Sequence, residues 1–270
     1  MAEHNKVFWH EAFFEALKLE FHHYQDLLIF DNEYQLSKEA LIMDVLIIKK
    51  KPGQQINKNI GKIFRSHNIV EYKSETDTIT EHDYNKVVAY ALLYSSFNKI
   101  PVDDITITFA ITKHPKALTN YLTTKRGFAV HTAESGIYYV TGDTFTIQIL
   151  ESKLLPQDEN LFLRNLRSNL STDDVTQIAK AYETIKTFEA KNVYINRLIQ
   201  ANQKIFKEAT SMSDVVREIF NEVAEREGWF VKRELATSKT IAKKLLLMGR
   251  PIEEIVEATD LPYETVIDLV

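Results

Sequence analysis

The sequence predicts a mixed α/β (α+β) fold: a central sheet flanked by helices, followed by an all-helical C-terminal part. Three observations predict it. Short apolar runs of strand length alternate with helical patterns over the first half of the chain. Residues 104–112 (DITITFAIT) alternate and are rich in β-branched side chains, as a half-buried strand is. Strand patterns then stop near residue 152, and the rest of the chain has helical spacing.

The elements come in order. Residues 6–20 space Val7, Phe13, Phe14 and Leu17 as one apolar helix face. Residues 27–35 read as a strand. Residues 41–49 (LIMDVLIIK) are a continuous apolar run with one aspartate, the pattern of a strand buried on both faces. Lys51-Pro52-Gly53 signals a turn, and 67–73 (HNIVEYK) the next strand. Thr80 suits an N-cap, with Val87, Val88, Ala91, Leu92 and Tyr94 on the apolar side of a helix to about residue 97. A strand at 104–112, a short helix at 115–123 and strands near 127–131, 137–141 and 145–150 complete a first part, 1–151. The second part, 152–270, is expected to hold helices near 156–170, 172–189, 191–208, 211–227, 237–248, 251–258 and 262–269. Gly249 suits a helix C-cap, and Pro251 and Pro262 suit first-turn positions.

Composition narrows the function. The chain has 270 residues, 44% apolar and 26% charged, within the range of ordinary globular proteins. It has no cysteine, which excludes disulfides, thiolate zinc sites and cysteine nucleophiles. No signal peptide is read at the N-terminus, and no uncharged run nears the roughly 20 residues of a membrane span. A cytoplasmic protein with no membrane partner is therefore expected. The net charge is -5, yet the charge is uneven. Residues 250–270 carry one base against six acids, whereas 45–70 carry Lys49, Lys50, Lys51, Lys58, Lys62 and Arg65 with no acid.

That basic stretch joins two short acidic motifs. Side chains alternate along a strand, so Glu71 and Lys73 point one way and Tyr72 the other. Asp44 shares a strand face with Ile42 and Leu46, where an isolated carboxylate is expensive to bury. A metal ion or a neighbouring lysine would compensate it. Phosphodiester hydrolysis uses such a set: hard oxygen ligands for Mg²⁺, and a lysine to steady the attacking water or the charge developing on phosphorus. Taken singly, each motif is also what many strands carry as a solvated pair.

The order helix, strand, strand with Asp, strand with Glu-x-Lys, helix, strand resembles the core of the PD-(D/E)XK nuclease superfamily. More narrowly, the chain looks like the bacterial PD-(D/E)XK family transposases or recombination-promoting nucleases. The stretches that carry the likeness are HEAFFEAL (10–17), EYQLSKEALIMDVLIIKK (33–50), NIGKIFRSHNIVEYKSE (59–75), DYNKVVAYALLY (83–94), ILESKLLPQDENLFLRNLRSNL (149–170) and the tail 241–269. The resemblance implies a restriction-endonuclease-like core and a Mg²⁺- or Mn²⁺-dependent deoxyribonuclease. Asp44, Glu71 and Lys73 would be catalytic. Asp44 and Glu71, with the backbone carbonyl of Tyr72, would hold the metal. An acid from the first helix would join them; Glu11 and Glu15 both qualify, and Glu11 is preferred. Met43 replaces the proline of the motif's name. Lys86 and Tyr90 stand where related exonucleases carry Gln-x-x-x-Tyr.

Lys49, Lys50, Lys51, Lys58, Lys62 and Arg65, with Lys86 and Tyr90, are the expected contacts to DNA. A homodimer would suit cleavage of both strands. The last helix carries Glu264 and Asp268 and no base, so the acidic C-terminal helices suit a protein contact better than a DNA groove. His10-Glu11 fails as a zinc-protease motif because Phe14 stands at the second histidine position. No Gly-rich phosphate loop and no Gly-x-Ser-x-Gly elbow is present. The competing reading is a catalytically silent nuclease fold that binds nucleic acid or protein.

Overall fold

The structure, a computed structural model, describes residues 9–31, 46–185 and 191–269, without the side chains of 191, 192 and 229–234. In chain order the elements are α1 (Trp9–Glu20), β1 (Leu28–Asp31), β2 (Leu46–Lys50), β3 (His67–Lys73), α2 (Glu81–Asn98), β4 (Ile105–Ile111) and α3 (Lys116–Asn120). A π-helical turn, Tyr121–Lys125, extends α3. Then come β5 (Ala129–Glu134), β6 (Ile137–Thr141), β7 (Thr146–Glu151), α4 (Leu161–Arg164), α5 (Thr172–Thr184), α6 (Lys191–Ala201) and α7 (Gln203–Ala209). The chain continues as α8 (Asp214–Arg226), α9 (Trp229–Leu247), α10 (Ile252–Thr259) and α11 (Tyr263–Ile267). The mixed α+β class expected from the sequence is the class observed.

The seven strands form one sheet in the order β1-β2-β3-β4-β7-β6-β5. β3, β4 and β7 run parallel in its centre, and antiparallel pairs close both sides. Parallel strands need helical cover on both faces. The odd-numbered residues Ile69, Ile107, Phe109, Ile111, Ile147 and Ile149 pack with Tyr84, Val87, Ala91 and Tyr94 of α2 in one core. On the opposite face, Tyr72 lies stacked on Phe13 of α1, ring centroids 4.1 Å apart. β3 is therefore buried from Asn68 to Tyr72, and only its ends reach partial exposure. Among the described residues, no helix is long and apolar enough to cross a membrane.

The helix expected at 237–248 begins earlier, at Trp229, and two other helical expectations change through polar side chains. Of 156–170 only Leu161–Arg164 is helical. Polar side chains take over the backbone bonding there, as they do wherever they compete with a helix ladder. Asn165 donates to the Leu161 carbonyl at 2.9 Å, and Asn169 turns left-handed at φ 59°. Asn202 accepts from the Leu170 N–H at 3.1 Å and donates to the Arg167 and Leu198 carbonyls at 3.0 Å each. The same asparagine divides the expected helix 191–208 into α6 and α7.

The boundary between compact parts also moves. The chain divides into residues 1–208 and 209–270, rather than at 151 where strand patterns stop. The reason is that α4 and α6 pack on α1 and belong to the sheet's own unit. Glu20, at the end of α1, ties them together. It accepts the Leu163 N–H at 2.8 Å and the Lys58 ammonium at 2.8 Å. The second unit has its own core of Ala242, Ile255, Leu261 and Val266.

Candidate active site

Glu71 and Lys73 lie near the carboxyl end of β3, on the face covered by α2. Glu71 is only 2% exposed. Its Oε1 meets Lys86 Nζ at 3.2 Å and Lys73 Nζ at 3.4 Å. Its Oε2 is buried and has no hydrogen-bond partner among the described residues. Such an orphaned oxygen is costly in a packed interior. Lys73 also reaches Asp83 at 3.0 Å. Asp83 is fixed independently, because it closes the capping box of α2: the Thr80 N–H donates to its Oδ2 at 2.8 Å. The start of α2 thus carries Asp83 and, one turn on, Lys86 to the strand end.

Burial raises the Glu71 pKa above its ordinary value, and Lys86 and Lys73 only partly oppose it. Burial alone would lower Lys73, but hydrogen bonding and charge from Asp83 and Glu71 outweigh it and raise its pKa. Lys73 is therefore an ammonium at neutral pH, a donor and not a base. Burial would raise Asp83, but the Thr80 backbone, Lys73 and the Thr80 hydroxyl hold it below the ordinary value.

The predicted residues divide into those brought together and those not. Glu71, Lys73 and Lys86 converge; Lys86, expected at a phosphate, is within reach of Glu71 itself. Asp44 lies outside the described residues; β2 is described from Leu46, whose register partner is Val70. The Tyr72 side chain belongs to the α1 face, and its position in β3 is paired with Ala110 of β4. Glu11 does not join Glu71. It stands on α1, against the other face of the sheet, is largely exposed, and pairs with Arg197 of α6 at 3.0 Å. Glu15 is the more buried of the two helix acids, with Oε1 held by Lys18 at 3.1 Å and Oε2 unpartnered among the described residues. Tyr90 is half-buried against the α2 core.

The basic stretch 45–70 is only partly a free surface. Lys49 pairs with Asp31, Lys58 with Glu20 and Lys62 with Glu134. Lys50 donates to the Gln54 carbonyl at 3.0 Å, and Lys51 and Arg65 are exposed. Asp83 was not foreseen as a site residue. Its signal was Thr80-x-x-Asp83 at a helix start, one turn before Lys86.

A divalent ion takes several oxygen ligands. Glu71 fits as one of them, through its unpartnered Oε2. Among the described residues no group of three His, Asp or Glu side chains is arranged to hold an ion. In comparisons with known proteins, no family model, curated protein or solved structure matches the chain.

Proposed function

We propose that this chain is a metal-dependent deoxyribonuclease of the PD-(D/E)XK type, with Glu71, Lys73 and Asp44 as its catalytic set. One observation carries the reading. A carboxylate almost fully buried at the end of a parallel strand keeps one oxygen free and faces two lysines. Open α/β sheets place ligands beyond the carboxyl ends of their strands.

Asp44 and Glu71 would hold Mg²⁺ or Mn²⁺ together with water. When bound, the ion lowers the pKa of a coordinated water and offsets charge on the phosphate. The chain's own residues supply the rest. Glu71 is held in place by the two lysines and by burial. Lys73, kept protonated by Asp83 and Glu71, donates a hydrogen bond to a phosphate oxygen or to the attacking water. Asp83 positions Lys73 and does not touch substrate. Lys86 shares Glu71 Oε1 and is a second cation beside it for a phosphate.

The test is cleavage of plasmid and single-stranded DNA with Mg²⁺, Mn²⁺ or EDTA, by wild type, Asp44→Ala, Glu71→Gln and Lys73→Ala. Metal-dependent cleavage lost in all three variants is expected. Cleavage that survives in them overturns the assignment. Absence of cleavage by every form favours a silent nuclease fold, a reading that the lysine-paired state of Glu71 Oε1 also suits.

A further inference from the structure

A second polar group stands at the same edge and on the same face of the sheet. Lys73 of β3, Ile111 of β4 and Glu151 of β7 are in register across the parallel strands. Two strand spacings separate the first from the last, about 10 Å. Just beyond β4, the His114 ring meets Tyr138 edge-to-face, ring centroids 4.8 Å apart. Its Nδ1 is 3.5 Å from Glu151 Oε2, and its Nε2 is 3.1 Å from Thr119 Oγ1. Tyr138 donates to the same Glu151 oxygen at 3.1 Å. Glu151 is thereby turned toward His114 and Tyr138 and is largely shielded from solvent, while His114 is over a quarter exposed.

The surroundings are cationic. Residues 105–133 contain no acid at all, and Lys113 and Lys116 flank His114, both exposed. Among the described residues neither forms an ion pair. This differs from the stretch 45–70, where three of six bases are committed to carboxylates.

We propose that the loop bearing Lys113, His114 and Lys116 is a phosphate-binding subsite that takes the nucleic-acid backbone next to the bond held at Glu71 and Lys73. This rests on the nuclease reading for its substrate, a single strand laid along the ends of β3, β4 and β7. His114 is the oriented member, held by Thr119 from α3 and packed against Tyr138 from β6. Lys113 and Lys116 are the exposed charges on either side. The contacts are to phosphate, so they give affinity and register without sequence choice.

The experiment measures binding of a labelled single-stranded oligonucleotide in EDTA, where cleavage is silent, over a range of NaCl. Each lost phosphate contact flattens the slope of log K against log salt by about 0.7 for a single strand. The variant Lys113→Ala/His114→Gln/Lys116→Ala is expected to bind roughly fivefold or more weakly with a flatter slope. Lys243→Ala/Lys244→Ala, at exposed positions of α9, is expected to keep the wild-type slope. Thermal melts confirm that the variants fold. Wild-type affinity and slope in the triple variant, or no binding by the wild type, overturns the subsite. A salt-slope change without cleavage by any form leaves the subsite standing and removes the nuclease reading. Cleavage by the wild type, with the triple variant binding normally, does the reverse.

Discussion

Glu71 carries an electrostatic conflict that can be measured. Its carboxyl is buried and its pKa lies above the ordinary 4.5. A carboxyl raised by folding contributes its full stability below the unfolded value and loses it as pH rises through the folded value. The charge is therefore a liability at neutral pH. Glu71→Gln is expected to match the wild type near pH 4 and to exceed it at pH 7, in urea melts with EDTA present. A variant less stable than wild type at pH 7 would show that the two lysines more than repay the burial. Lys86→Ala is expected to act oppositely, costing about 1–3 kcal/mol at pH 7 because it strips a partner from a buried charge. Metal adds a second readout. An ion at ten times its Kd raises folded-state stability by about 1.4 kcal/mol, so Mg²⁺ or Mn²⁺ should raise the melting temperature of wild type and not of Glu71→Gln. Equal shifts in both would place the ion elsewhere.

At the scale of elements, the segment between β2 and β3 is tied to α1 by a buried ion pair. Lys58 anchors Glu20, which in turn caps the Leu163 N–H. Burial also raises the Glu20 pKa against the pull of Lys58. Lys58→Ala leaves that carboxylate buried without its counter-charge, a change that costs about 3–5 kcal/mol for a buried pair. Its effect should appear in denaturant midpoints before it appears in any binding assay. The Asn202 hub joins the irregular segment after α4 to the junction of α6 and α7. Asn202→Ala is expected to cost about 2–3 kcal/mol, since the Leu170 N–H and two carbonyls lose their partner in a dry setting. Chemical denaturation with an unchanged m-value checks this; a loss under about 0.5 kcal/mol, the ordinary size of a surface substitution, would show that the segment holds without it.

At the scale of the whole molecule, each compact unit has its own core, and every described residue of the candidate site and of the proposed subsite lies in 1–208. A chain ending at residue 208 is expected to melt cooperatively and to retain whatever DNA binding and cleavage the full chain has. Non-cooperative melting would show that the second unit is needed for folding. Much of this architecture was legible beforehand. The β-branched alternation of 104–112 favours a strand, because its side chains bury best that way. The Glu-x-Lys spacing put Glu71 and Lys73 on one face by the period of a strand alone, and Thr80 marked the start of α2 by its hydroxyl. What no local pattern contained was which charges meet. Lys58 and Glu20 are 38 positions apart, Lys62 and Glu134 are 72 apart, and Arg197 reaches Glu11 across most of the chain. An acid-free run in the sequence is therefore not a free basic surface. The two-unit boundary was hidden for the same reason, since helix and strand periods say nothing of which element a helix packs on. By itself the sequence determined the sheet, its class and the shared face of Glu71 and Lys73, because periodicity and side-chain chemistry are local. Only the tertiary structure decided that Asp83 and Lys86 complete that face, that Glu11 leaves it, and that His114 and Glu151 stand beside it. Those are distance-dependent electrostatic choices, made when strands distant in sequence come into register.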